Sequence, residues 1–138
     1  MLTLALAIVA AGQTFTCTPT RVVDGDGPIW CAEGPKVRLG GIITRGMDGA
    51  CGAEQPCRVS ATESRDHLIG LIGRAEGRTP QGDVLVQGAP LTCVSSGSAG
   101  LGRTGAWCAN GAGADLSCTM LRAGMANRWD RFWRGHRC

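Results

Sequence analysis

Eight cysteines, Cys17, Cys31, Cys51, Cys57, Cys93, Cys108, Cys118 and Cys138, are spread through a chain of 138 residues. An even and dense set in so short a chain reads as a disulfide framework formed in an oxidising compartment. Such bridges restrict the unfolded chain, and one small domain with a modest core can then be stable. No pair has the Cys-x-x-Cys spacing of a zinc ribbon, and neither His67 nor His136 stands beside an evident partner ligand, so metal-bound thiols are the weaker reading. Eight cysteines allow on the order of a hundred pairings. Pairing in sequence order is favoured, because Cys93 and Cys108 would face each other across a hairpin turning at "SSGSAGLG".

The N-terminus fits that compartment. "MLTLALAIVAAGQ" is an apolar run closing on Val9-Ala10-Ala11, a small-residue pattern suited to signal cleavage, although it lacks a positive n-region. We read 1–11 as a signal peptide and 12–138 as one domain. At roughly ten apolar residues the run is too short to span a membrane. No second such run follows, so a periplasmic or secreted protein is expected. The net charge is +3, with Lys36 the single lysine. Arginine forks suit phosphate or carboxylate, so the balance permits a polyanionic partner without requiring one. Twenty-two glycines, two Phe and no Tyr imply a loop-rich fold with few large aromatic anchors.

Along the chain, "FTCTPTRVV", "IWCAEG" and "KVRLGGII" read as three strands, the first two joined by a turn at "DGDGP". Val37 and Leu39 share one face of the third strand, with Arg38 on the other. Ser60 with Glu63 forms a capping box for a helix whose apolar side includes Leu68, Leu71 and Ile72. "DVLVQ" and "PLTCVS" are the next strands, followed by "RTGAWCA" after the Gly/Ser turn. A second helix is expected through "ADLSCTMLRAGMA", stopping near Asn127, before a basic aromatic tail. The expected fold is mainly β (α+β): a disulfide-stapled, five-stranded OB-type barrel with a helix between strands 3 and 4 and C-terminal helices.

Four pieces, "VVDGDG" at 22–27, "VRLGGI" at 37–42, "LGRTGAWC" at 101–108 and "DLSCTMLRAGMA" at 115–126, together resemble the thermonuclease family of staphylococcal-nuclease-like OB-fold proteins. The resemblance covers about residues 17–130, where the family's usual forms are V-D-G-D-T, V-R-L-x-G-I-D-A-P-E, Y-G-R-x-L-A and D-L-N-x-x-L-V-x-x-G-x-A. It implies cleavage of phosphodiester bonds with a calcium ion, a carboxylate base and two arginines. Calcium takes about six to eight oxygen ligands, a glutamate can deprotonate the attacking water, and arginine forks neutralise charge on phosphoryl oxygens.

Carried across, Asp26 matches a metal-binding Asp, and Arg38 and Arg103 match the two arginines. Thr44 falls where the family offers a backbone carbonyl to the metal. The departures are specific. Where the family writes I-D-A-P-E, this chain has Ile42-Ile43-Thr44-Arg45-Gly46, so Ile43 replaces the second metal-binding Asp and Gly46 the base. Gly27 replaces the Thr of the turn, and Leu101 the Tyr before G-R. Loss of a base alone would cost roughly 10²–10⁴-fold in rate.

Three readings follow. The chain binds DNA or RNA with weak or lost calcium-dependent cleavage. Or Asp24, Asp48 or Glu54 has replaced the missing groups and cleavage survives. Or the barrel is a disulfide-rich scaffold for a protein or glycan partner. In the tail "NRWDRFWRGHRC", Trp129, Phe132, Trp133 and His136 fall at helical spacing, with arginines at every third residue. Such a pattern could stack bases and follow a phosphate backbone, or it could dock its aromatic face on the barrel with the arginines solvated.

Overall fold

The hairpin expected at "DGDG" forms. In a computed structural model whose described residues are 7–138, β2 (Pro19–Asp24) turns into β3 (Gly27–Cys31) with Asp24 opposite Gly27. Ahead of them lies β1 (Thr14–Cys17), separated from β2 only by Thr18. Next come β4 (Lys36–Leu39), β5 (Ile42–Ile43), α1 (Ala61–Ile72) and β6 (Gly73–Arg78). The remainder is β7 (Val84–Gly88), β8 (Leu91–Ser98), β9 (Thr104–Ala109), α2 (Leu116–Arg122), β10 (Asn127–Arg128) and α3 (Asp130–Trp133).

The class is mainly β with helices, as expected, but the strand count differs. One sheet has eight strands in the order β1-β8-β9-β4-β3-β2-β7-β6, and β5 pairs with β10 apart from it. The first expected strand breaks at Thr18, just before Pro19, and its halves take different partners: β1 pairs with β8, β2 with β3 and β7. The third breaks at Gly40-Gly41. An unforeseen strand, β6, follows α1, and all six of its residues are exposed. "GRAEGR" carries no apolar alternation, so pairing with β7 defines it. Its first residue, Gly73, sits where a Cβ would strike the backbone of Gln87 and Gly88.

The capping box holds as read. Ser60 Oγ accepts the Glu63 N–H at 3.0 Å, and the Glu63 carboxylate accepts the Ser60 N–H at 3.5 Å. Leu68, Ile69 and Ile72 turn inward, whereas Leu71 is only partly buried. Helix α2 begins at an Asp115 cap and stops at Arg122, short of Asn127. The tail helix is only one turn long.

Alternation in β4 buries Val37 and Leu39 and leaves Arg38 on the opposite face. Val22, Ile29, Val37 and Leu39 from the sheet meet Leu68 and Ile72 of α1 and Leu116 and Met120 of α2 in one core. Of the segment read as a signal, 1–6 lie outside the described residues. Val9 donates its N–H to Thr104 Oγ1 at 3.2 Å and accepts from Ser95 Oγ at 2.7 Å, which ties it to β8 and β9. No helix among the described residues is long and apolar enough to cross a membrane.

All eight cysteines are paired, in sequence order: Cys17–Cys31, Cys51–Cys57, Cys93–Cys108 and Cys118–Cys138. Cys93 lies directly opposite Cys108 in the β8–β9 register, and both are buried. Replacing both by Ala is expected to cost about 3 kcal/mol in denaturant unfolding, the order anticipated for a bridge closing about 15 residues. Replacing Cys51 and Cys57, which close a short exposed loop, is expected to cost less.

Candidate functional site

The D-G-D turn fits tightly against α1. A Cβ on Gly25 would come within 2.7 Å of Ser64 Cβ, so the residue between the two acids has to be glycine. From this turn Asp26 reaches the outer face of β4, where Arg38 Nη2 donates to its Oδ2 at 3.1 Å. The same oxygen accepts the Thr44 N–H at 3.2 Å. Arg38 Nη1 donates to the carbonyls of Leu39 and Ile42, each at 3.0 Å. Burial raises the pKa of Asp26, opposed by the Arg38 charge and the Thr44 amide. Burial likewise lowers that of Arg38, opposed by Asp26 and reinforced by Arg103.

This arrangement does not fit a calcium ion. The Asp26 oxygen that faces Arg38 and Thr44 is already shared by two protein donors, and the Thr44 carbonyl accepts Gln55 Nε2 at 3.2 Å. A hard cation with about six to eight oxygen ligands to fill would have to displace these bonds and sit beside a guanidinium. Ile43 pairs with Asn127 across β5 and β10.

The candidate arginines do come together. Strands β4 and β9 pair in parallel with Arg38 opposite Gly105, which brings Arg38 toward the tip of the β8–β9 hairpin. Arg103 lies at that tip, donating to the carbonyls of Gly100 and Ala99 at 3.1 and 2.8 Å. Both line a cavity of about 140 Å³ whose walls also include Arg134, Trp107, Trp129 and Phe132, and no carboxylate. Glycines 40 and 41 form its floor. A Cβ at Gly41, which has φ +66°, would come within 2.5 Å of Trp107 and 2.7 Å of Trp133.

Nothing in the sequence singles out Arg134 among the evenly spaced arginines of the tail. It is non-glycine with φ +53°, a conformation that costs of order 1–3 kcal/mol and is often found at functional positions. Among the described residues its side chain makes no hydrogen bond or ion pair. The buried Trp129 Nε1–H also has no acceptor among them. Arg38 lies over the Trp129 ring, 4.9 Å from its centroid. Leu101 projects from the hairpin tip, 92% exposed and with φ +55°.

The tail is anchored rather than extended. Asn127 and Arg128 pair with β5, and Trp129 N–H donates to the Gly41 carbonyl at 2.8 Å. Trp133 meets Trp107 edge-on at 5.5 Å, and His136 stacks flat on Trp107 at 3.7 Å. Trp129 and Phe132 remain at the cavity, so the tail docks only part of its aromatic face on Trp107.

The remaining acids scatter. Glu54 lies behind Trp129, in a separate depression with Asn127 and Arg131. Asp48 accepts the Ala50 N–H at 2.9 Å, and its Oδ1 lies 2.7 Å from where a Cβ on Gly46 would be. Arg45 braces this loop through the carbonyls of Gly49 and Cys57. Asp24 Oδ1 is buried with no hydrogen-bond partner among the described residues. Its pKa is raised from 3.8 to about 6, first by burial and then by Asp26, with Arg65 opposing.

No family model, curated protein or solved structure matches the chain.

Because folding raises the Asp24 pKa, the native state holds its proton more tightly than the unfolded state does. Stability is therefore lost as pH rises from about 4 toward about 6. Asp24→Asn is expected to stabilise the protein above pH 6 by roughly 1 kcal/mol, allowing for the partly solvated carboxylate. The gain should shrink toward zero below about pH 4, as read by urea unfolding at each pH.

Proposed function

We propose that the protein binds a DNA or RNA strand in the cavity between the β8–β9 hairpin and the C-terminal tail, with phosphodiester cleavage weak or lost. The observation that carries this reading is the cavity wall: three guanidiniums and three aromatic rings with no carboxylate among them. Arginine forks suit phosphate oxygens, and indole or phenyl faces stack bases without regard to sequence. Arg103 and Arg134 are the phosphate contacts, and Trp129 and Phe132 the stacking surfaces. Arg38, with its Nη atoms bonded to protein acceptors, contributes charge and holds the floor.

The thermonuclease resemblance supports the same reading through its topology. Strands β1 and β2 are one chain segment interrupted at Thr18, yet they stand at opposite ends of the run β1-β8-β9-β4-β3-β2. A run that returns to its own starting segment, with β4 and β9 parallel, is what a rolled OB-type sheet would give. On this reading β7 and β6 extend the roll as an added hairpin. Four disulfides accord with a periplasmic or secreted location.

A second reading has one observation in its favour. Asp48 returns a carboxylate to the space beside Gly46, where the family carries its base, so slow cleavage through a relocated acid is the alternative.

The test is tryptophan fluorescence on adding single-stranded oligonucleotides at two salt concentrations, with cleavage assayed in calcium and in chelator. Binding is expected to quench the tryptophans and weaken with salt at a log–log slope of about −0.7 per phosphate contacted. Arg103→Ala should weaken it roughly tenfold, about the energy of one charge-assisted hydrogen bond. Calcium-dependent product that disappears in both Arg103→Ala and Asp48→Asn would establish the second reading. Absence of any salt-sensitive binding would point to the scaffold reading and a protein or glycan partner.

A further inference from the structure

In sequence His136 has only Cys138 near it as a ligand-type residue, but the fold brings it two more. Asp115, Cys118 and His136 each bring one ligand atom to a common point, and these atoms all lie within 4.8 Å of one another. Among the described residues this is the one such group. A fourth donor belongs to it, because Cys118 is bridged to Cys138 and Cys138 follows His136 by two residues. The set is Asp-x-x-Cys at the start of α2 and His-x-Cys at the chain end.

We infer that these four side chains form a zinc site when the Cys118–Cys138 bridge is reduced, and that oxidation of the pair by exchange with a small disulfide, whose S–S bond breaks and takes the two electrons as two thiols, expels the ion. In the oxidised structure the bridge makes both sulfurs unavailable as thiolates, and His136 Nε2 is paired with Asp115 Oδ2 at 2.6 Å. A dithiol reductant delivers two electrons and two protons to the bridge: its own two thiols become a disulfide, and Cys118 and Cys138 become thiols. Zinc then replaces the two thiol protons, which leave to solvent. Two thiolates, one carboxylate and one neutral imidazole make a tetrahedral donor set. With Zn–S near 2.3 Å and Zn–N near 2.0 Å, its ligand atoms would stand about 3.3–3.8 Å apart. The two sulfurs, bonded at 2.07 Å in the bridge, would move apart to about 3.8 Å, and the Asp115–His136 contact, 2.6 Å long, would open by less than about 1 Å.

The surroundings favour this site. His136 is held flat against Trp107, with ring centroids 3.7 Å apart, so its orientation is set before a metal arrives. Asp115 uses its other oxygen, Oδ1, to cap α2 through the Cys118 N–H at 2.9 Å, which fixes the carboxylate beside the sulfur. Second partners of this kind hold metal ligands in place elsewhere. Oxidation would thus replace one cross-link between α2 and the tail by another, and the tail would stay docked in both states.

The probe is cobalt, displaced afterwards by zinc. In a Cys51→Ser/Cys57→Ser background, which removes the bridge of the exposed loop, a phosphine reductant opens Cys118–Cys138 from its exposed Cys138 end, taking an oxygen atom from water as it becomes the phosphine oxide. Thiol counting should give two thiols per chain, and peptide mapping locates them. The reduced protein is expected to bind one cobalt per chain, with sulfur-to-metal charge-transfer absorption and the intense visible bands of a tetrahedral ion. The oxidised protein should show neither. His136→Gln, and Asp115→Asn, which keeps the helix cap, should each weaken cobalt binding at least roughly tenfold. Cys138→Ser leaves Cys118 as a thiol without any reductant, and should bind cobalt through three protein ligands. Failure of both preparations to give the charge-transfer band would overturn the proposal. So would a band that His136→Gln leaves unchanged, since that would report thiols binding metal without the site.

Discussion

The buried pair of Asp26 and Arg38 is the constraint on which the rest of the site depends. It joins the β2–β3 turn, the outer face of β4 and the first residue after β5 through one carboxylate oxygen and one guanidinium. Each charge loses water on burial, and each is compensated chiefly by the other and by neighbouring backbone groups. Removing either partner from such a pair typically costs about 3–5 kcal/mol, because an uncompensated charge remains. The pair is therefore structural first. The carboxylate offers little to a cation, and the guanidinium keeps only part of its hydrogen-bonding capacity for a ligand.

That commitment leaves the other two guanidiniums of the cavity to be placed from the edges of the fold. Arg103 is placed by the hairpin tip, where its own turn carbonyls fix the guanidinium. Arg134 is placed by the tail, whose three anchors differ in kind: backbone pairing of β10 with β5, aromatic packing on Trp107, and the Cys118–Cys138 bridge. Gly40 and Gly41 allow that packing, since the indoles of Trp107 and Trp133 occupy the space their side chains would need. A cavity built from two distant chain segments thus rests on a floor that β4 and β5 supply.

Local features were legible in the sequence. The D-G-D hairpin, the Ser60–Glu63 capping box and the inward and outward faces of β4 all follow from neighbouring residues, as does the Cys93–Cys108 facing pair. What was hidden is non-local. The parallel pairing of β4 with β9, which unites Arg38 and Arg103, leaves no periodic mark in either segment. Strand β6 exists because Gly73 can approach β7, not because "GRAEGR" prefers an extended state. Arg134 looked like one of several solvated arginines, since only the left-handed turn after α3 sets it apart from Arg131 and Arg137. His136 seemed to lack ligands because its neighbours Asp115 and Cys118 lie about one helix and one tail away in sequence.

Ile43 and Gly46, where the thermonuclease resemblance would place two acids, make physical sense together with what surrounds them. Ile43 takes part in a strand pair that holds the tail, a role in which a charged side chain would gain nothing. Gly46 leaves room for the Asp48 carboxylate to fold back and accept from Ala50. The cavity wall holds Arg38, Arg103 and Arg134 with no carboxylate among them, and such a set pushes the local potential toward holding a polyanion. On the proposed reading, cleavage would need a metal, a base and release of the product, and this arrangement would weaken all three at once.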